Sequence, residues 1–292
     1  MSDELIIPPP STAPIVESRR RTERQTPLST IEALQTACSA KDIRQFQAIF
    51  NDWLPLGINI RDLNDVLWQA VGEDVAEIVS TFLSHGKPIS FMYARAAVHS
   101  RSYHVLELFL QHGWDINEPD DITKPTVLGY AVKDEEMARW LLDHGADPNK
   151  QCEIDLTPLS CAVEDASWST IQLFFERGAD VHRGEPLHHA INRKTEVVEV
   201  LELLLERGAP LNGKQYENHY NSWRLYFFMG LGTALHQAAQ VGNVLAVKYL
   251  LERGADPNIK DATNRTPLGW AVELKRPEVV ALLEEALRGK DI

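Results

Sequence analysis

The sequence predicts an all-α solenoid of about eight helix-turn-helix units joined by β-hairpin fingers, and two observations carry that prediction. A glycine-centred segment recurs along the chain. Leu141 to Asn149 returns at Phe174 to His182, at Leu204 to Asn212 and nearly letter for letter at Leu250 to Asn258, with weaker copies at Phe109 to Asn117 and Phe82 to Ser90. A second signature lies upstream in fixed phase: Thr157-Pro158-Leu159 with Ala162, Thr266-Pro267-Leu268 with Ala271, and Thr233-Ala234-Leu235-His236 with Ala238. Glu185-Pro186-Leu187-His188 with Ala190 and Thr126-Val127-Leu128 with Ala131 are looser versions. Self-similarity of this length marks units too small to bury their own apolar faces, which must stack on one another.

The turn glycines Gly86, Gly113, Gly145, Gly178, Gly208 and Gly254 stand 27, 32, 33, 30 and 46 residues apart, so the period centres near 33. Together the two motifs resemble the T-P-L-H-x-A opening and the L-L-x-x-G-A-D-x-N close of the ankyrin repeat family. The resemblance covers roughly residues 30 to 289. It implies stacked helix pairs with projecting fingers, and work as a protein-binding module without catalysis or cofactor.

Each motif position has a physical role. Threonine accepts from a free backbone N–H at the first turn of the inner helix, and the following proline lacks a donor that would be unpaired there. Leu159 and Ala162 share a face, where the small alanine lets helices approach. The closing glycine takes the left-handed conformation that residues with a Cβ resist. Expected helix pairs span 34–53, 66–85, 93–112, 127–144, 158–177, 186–207, 234–253 and 267–289, with divergent end units, as a solenoid requires where one side faces water. His85, His112, His144, Arg177, Arg207 and Arg253 precede the glycines. Because arginine alternates with histidine there, the slot compensates the helix dipole rather than binding a metal.

Composition excludes several classes. With 29 Lys+Arg against 42 Asp+Glu and a formal charge of -13, the chain repels phosphate backbones and anionic membranes, so neither nucleic acid nor membrane is an expected partner. No run approaches the ~18 apolar residues of a membrane helix. Cys38, Cys152 and Cys161 are odd in number and sit among apolar helical neighbours, a pattern of reduced intracellular thiols. A monomer in cytoplasm or nucleus is expected. No zinc helix, paired Cys-x-x-Cys, phosphate loop or nucleophile elbow is present, and His188-His189 occupies the family's turn-stabilising slot.

Residues 1–28, with Pro8-Pro9-Pro10 and the charged run Glu17 to Arg24, read as a disordered tail preceding a repeat domain at 29–292. Arg19, Arg20 and Arg21 are a candidate import patch, and Thr22, Thr26 and Ser29 are candidate phosphorylation sites.

Function in a solenoid sits where repeats differ. Gly208 to Leu235 spans 27 residues against 14 for Gly145 to Leu159, so one finger carries an insert at 213–231. Its Tyr216, Tyr220, Trp223, Arg224, Tyr226, Phe227 and Phe228 are the residue types that dominate binding hot spots. Two readings stand side by side: an exposed binding loop, or a packed plug over a stacking defect. A second candidate is an acidic strip of Glu118, Asp120 and Asp121 on one finger with Glu153 and Asp155 on the next, weighed against an ordinary solvated tip. Fingers Gly86 to Ala94 and Gly178 to Leu187 look truncated and leave notches. The leading function is a non-catalytic intracellular adaptor or regulator that binds a protein partner through the concave face and the hairpin fingers, the insert among them. The alternatives are a nuclear transcriptional co-regulator, and an atypical enzyme or small-molecule binder with a cavity lined by Tyr220, Trp223 and His236.

Overall fold

The computed structural model describes residues 26–56 and 59–289. Helices pair consecutively: α1 (Leu28–Ser39) with α2 (Ile43–Trp53), α3 (Asn64–Gly72) with α4 (Ala76–Ser84), α5 (Phe91–His99) with α6 (Tyr103–Gln111), and α7 (Val127–Tyr130) with α8 (Glu135–Asp143). The series continues with α9 (Pro158–Asp165) and α10 (Trp168–Glu176), then α11 (Pro186–Ala190) and α12 (Val197–Glu206). After the lone α13 (Tyr220–Tyr226) come α14 (Ala234–Val241) with α15 (Val244–Glu252) and α16 (Pro267–Glu273) with α17 (Pro277–Arg288). The first helix of each pair packs on the first helix of the next, from α1 through α3, α5, α7, α9, α11 and α14 to α16, forming an inner row. None of these helices would persist alone in water at such lengths. They are held by one continuous core that runs from Leu34 through Phe82, Leu128, Phe174 and Leu204 to Leu283.

The caps follow the sequence logic. Thr157 Oγ1 accepts from the Ser160 N–H at 3.2 Å, and Ser160 Oγ accepts from the Thr157 N–H at 3.1 Å. At Thr233 the return acceptor is the His236 ring, whose Nδ1 takes the Thr233 N–H at 3.0 Å while Nε2 donates to the Arg265 carbonyl at 3.1 Å. The six turn glycines have φ between +79° and +95°. In the slot before them, Nδ1 of His85, His112 and His144 donates to the carbonyl four residues back, at 2.7, 2.9 and 2.7 Å. Arg177 reaches Asp143 of the preceding unit at 2.6 Å.

The Asp and Asn of the Gly-Ala-Asp-x-Asn close have distinct tasks. Asp147 Oδ1 accepts from the Asn149 N–H at 2.8 Å and shapes its own turn. Asn149 then stitches to the next unit: its Nδ2 donates to the Gly178 carbonyl at 2.8 Å and its Oδ1 accepts from the Asp180 N–H at 2.7 Å. Asn117 repeats this toward Gly145 and Asp147, at 3.0 and 2.8 Å.

Two expectations are corrected. Among the described residues the fingers contain no strand, only an isolated antiparallel bridge between Asp121 and Lys124. Aspartate side chains close these loops instead, as where Asp261 Oδ1 accepts from the N–H groups of Thr263 and Arg265 at 2.8 and 3.0 Å. The expected tail boundary at residue 28 also moves. Thr26 is buried, donates its N–H to Asp62 Oδ2 at 2.9 Å and accepts from the Asn59 N–H at 3.2 Å, so its hydroxyl is already engaged. The arginine cluster and Thr22 lie outside the described residues.

Asn149→Ala removes both bonds to the next unit and is expected to cost about 1–3 kcal/mol at roughly 1 kcal/mol per hydrogen bond. Urea unfolding measures this, and an unchanged midpoint refutes the stitch. A pH dependence also follows. Burial pushes the His236 imidazole below its ordinary value, against the opposing hydrogen bond to the Arg265 carbonyl. The unfolded chain therefore takes up a proton near pH ~6.5 that the folded chain resists. Stability is full above that pH and declines as pH falls through it. The loss in urea midpoint between pH 7.5 and 5.5 should shrink in His236→Gln, and an equal loss in both proteins would show that His236 is not responsible.

Candidate functional site

The insert occupies the place where the stitching fails. His182 stands where the Asn should be, and Pro210, which has no N–H, stands where the Asp should be. Both halves of the bond are thus missing between these two units. Three anchors tie the insert down instead. The Gln215 N–H donates to the Gly232 carbonyl at 2.8 Å and closes its base. The Tyr216 N–H donates to Glu185 Oε1 at 2.9 Å, inside the expected notch of the truncated finger. Beyond it, the Asp155 N–H donates to the buried Ser222 Oγ at 2.8 Å. His219 Nδ1 lies 2.9 Å from that hydroxyl and accepts from the Ser222 N–H at 3.3 Å, capping α13.

Two of these anchor residues have left-handed backbone, as do residues at several other turns of the chain. Tyr216 and Glu185 have φ of +59° and +54°, a left-handed conformation that a bulky residue adopts only when its surroundings impose it. Burial raises the Glu185 carboxyl, yet bonding to His188 and to the Tyr216 N–H prevails, leaving it below its ordinary value. Burial drives the Tyr216 phenol well above its usual range.

The candidate aromatic residues consequently divide. Tyr216 is buried, so its side chain is a structural wedge rather than a contact residue, and Tyr226 is half-buried with its ring 5.8 Å away. On the opposite side Tyr220 and Phe228 are 69% and 68% exposed, with Trp223, Phe227 and Arg224 also open to solvent. Trp223 stacks on Phe227 at 5.7 Å, and Phe228 meets Phe227 edge-on at 6.1 Å. The insert therefore has a packed base and an outer side on which aromatic rings stand open.

The acidic strip does not form as expected. Asp155 is buried, and its Oδ1 accepts from the Gly184 N–H at 2.7 Å. Asp120 is bound by Arg95 at 3.2 Å and by the Tyr130 hydroxyl at 2.7 Å. Asp121 accepts from the Thr123 N–H and pairs with Lys124 at 3.0 Å; these contacts lower its carboxyl to about 2. Glu118 and Glu153 remain exposed. The two fingers do lie side by side, since the Ile154 N–H donates to the Ile122 carbonyl at 3.1 Å.

The cavity drawn for the small-molecule reading is also absent in that form. His236 lines a pocket of 290 Å³ against the inner row, whereas Tyr220 and Trp223 line a separate one of 420 Å³. His188 Nε2 donates to the Gly232 carbonyl at 3.1 Å, and His189 meets Glu164 at 3.0 Å. No group of three or more His, Cys, Asp or Glu positioned to hold a metal occurs among the described residues. No helix among them is long and apolar enough to cross a membrane. Sequence reasoning missed Glu185, His219 and Ser222 as anchors; only the loss of Asn and Asp at 182 and 210 signals that something must replace the stitch.

The family described as Ankyrin repeats (3 copies) matches residues 94–185, 167–261 and 218–292. Among curated proteins, the chain is 31% identical over 158 residues to "Ankyrin repeat protein nuc-2" of Neurospora crassa, covering 53% of this chain and 14% of that protein. It is 30% identical over 138 residues to "B-cell lymphoma 3 protein homolog" of Mus musculus, covering 44% and 28%. It is 32% identical over 150 residues to "Mitochondrial disaggregase" of Bos taurus, covering 51% and 20%. The chain thus spans less than a third of each of these relatives.

Ser222→Ala leaves the Asp155 N–H buried without its acceptor, at a cost of about 1–3 kcal/mol. Limited proteolysis should then cut within residues 217–229 at least several times faster than in the unaltered protein. Equal cutting rates would mean that Ser222 does not hold the insert.

Proposed function

Because the chain belongs to the ankyrin repeat family, we propose that it is a non-catalytic protein-binding module of eight helix-pair units, an adaptor or regulator that recognises a partner through the outer face of its insert. The observation that supports this reading most directly is the aromatic face itself. Tyr220, Trp223, Phe227 and Phe228 lie open on a base fixed by Gln215, Tyr216 and Ser222. Contiguous exposed aromatics would be an aggregation liability unless something covers them. Held on rigid anchors, they lose little conformational freedom on binding, which favours affinity. Arg224 adjoins them, and glutamates 118 and 153 offer secondary contacts at neighbouring finger tips.

The partner is proposed to be protein, not nucleic acid. The formal charge of -13 opposes phosphate, and flat aromatic faces with an arginine match protein hot spots. The protein acts as a monomer in cytoplasm or nucleus on this reading, with its three cysteines reduced. Burial raises Cys38 to about 11 and Cys161 to about 12, so both thiols are weak nucleophiles.

The test is a triple variant, Tyr220→Ala with Trp223→Ala and Phe228→Ala, compared with the unaltered protein by quantitative affinity-purification mass spectrometry. At ~2 kcal/mol per hot spot, partners captured by the insert should fall at least 30-fold while circular dichroism stays helical. Retention of every partner by a folded triple variant overturns the assignment of this face.

A further inference from the structure

The notch of the truncated finger between Gly178 and Leu187 is roofed by the start of the insert, and together they enclose a cleft of 410 Å³. That volume lies within the ~300–1,000 Å³ usual for ligand sites. Asp155, from the finger before, lines the cleft and is only 7% exposed. Its Oδ1 accepts from the Gly184 N–H at 2.7 Å and from Gln151 Nε2. Its Oδ2 takes no bond from any described residue, and no described cation pairs with the carboxylate. A charge withdrawn from water to this degree is costly until a counter-ion reaches it.

The other ionic groups of the cleft do not supply one. His188 Nδ1 stands 3.2 Å from Glu185 Oε2, while Glu185 Oε1 accepts from the Tyr216 N–H, so both oxygens of that carboxylate are taken. His219 Nδ1 accepts from the Ser222 N–H, which requires the uncharged ring. Glu217 is exposed and adds negative charge, and half-buried Lys214 holds its ammonium paired to no described residue. Gln151 spends its Nε2 on Asp155, which leaves its amide oxygen as a second acceptor beside the carboxylate. Val181, Leu187 and Pro210 line the same cleft with apolar surface.

An uncompensated carboxylate and an amide oxygen, reached along apolar walls, match an alkyl chain that ends in a cation. We propose that the cleft takes a lysine or arginine side chain presented by the protein partner, with its cation at Asp155 Oδ2 and its stem against Val181, Leu187 and Pro210. The formal charge of -13 draws such a basic segment toward the chain. This rests on the protein-binding reading and names the chemistry that the partner brings.

The Gly184 amide, bonded to Asp155 Oδ1, gives a local readout by amide-resolved NMR on the full chain at fixed ionic strength. The probes are N-acetyl-lysinamide and N-acetyl-argininamide, with two controls. N-acetyl-norleucinamide keeps the stem without the charge, and butylammonium keeps stem and charge without the backbone. The basic amides should shift the Gly184 and Gln151 resonances saturably, with a Kd at least fivefold below that of the norleucine amide. Asp155→Asn keeps an Oδ1 acceptor and removes the charge, so it should raise that Kd at least fivefold with helicity intact. Lys214→Gln removes the competing ammonium and should lower it at least twofold. Equal affinity for the norleucine amide, unchanged affinity in a folded Asp155→Asn, or no gain in Lys214→Gln overturns the assignment. Tighter binding of butylammonium than of N-acetyl-lysinamide would show a cleft that closes on free amines, and overturns the partner as the source. If the basic amides bind as expected while the triple aromatic variant keeps every partner, the outer-face reading fails alone. If the triple variant loses partners while Asp155→Asn binds the probes unchanged, the cleft fails alone.

Discussion

The regular middle of the array depends on one recurrent contact: a side-chain amide, at Asn117 and again at Asn149, that donates to the turn carbonyl of the next unit and accepts from the N–H two residues further on. Stacking of apolar helices alone is non-directional and would tolerate sliding. The carboxamide supplies direction, because Asn149 satisfies the Gly178 carbonyl and the Asp180 N–H at once and does so only in one register. The left-handed glycine and the aspartate that folds its own turn exist to present those two backbone groups. Three apparently separate letters of the repeat, Gly, Asp and Asn, therefore serve a single bond pattern.

The same logic explains the irregular region. At the junction of the units closing at His182 and Asn212 the bond partners are gone, and an insert of aromatic and polar residues crosses the gap. It reaches back two fingers, from Ser222 to the backbone of Asp155 and from Tyr216 to Glu185. Its strained backbone at Tyr216 is maintained by those bonds. One segment thus combines a structural replacement on its inner side with an apolar face turned outward.

Much of the fold was legible because its signals are local. Thr157 capping Ser160 and the positive φ of Gly145 require only nearest neighbours in sequence. The fingers were less legible. Paired strands are the expectation, whereas Asp121 and Asp261 close their loops with side-chain acceptors, which compete locally with backbone pairing. The site was legible only as a segment. Nothing in the letters distinguishes buried Tyr216 from exposed Tyr220, since that division is set by Ser222 bonding a residue 67 positions away. Asp155 reads as a surface acid for the same reason: its burial is created by Gly184 and the insert, not by its neighbours.

The couplings along the stack are unequal: Asn117 and Asn149 make both bonds to the next unit, Asn212 accepts one, and His182 makes neither. At the junction between the units closing at His182 and Asn212 other bonds stand in for the amide: Gly184 N–H to Asp155, and the Arg193 guanidinium to the Val163 and Ala166 carbonyls. The strap is fastened to the two fingers before its own, at Asp155 and at Glu185, so a load placed on it is shared by three successive units.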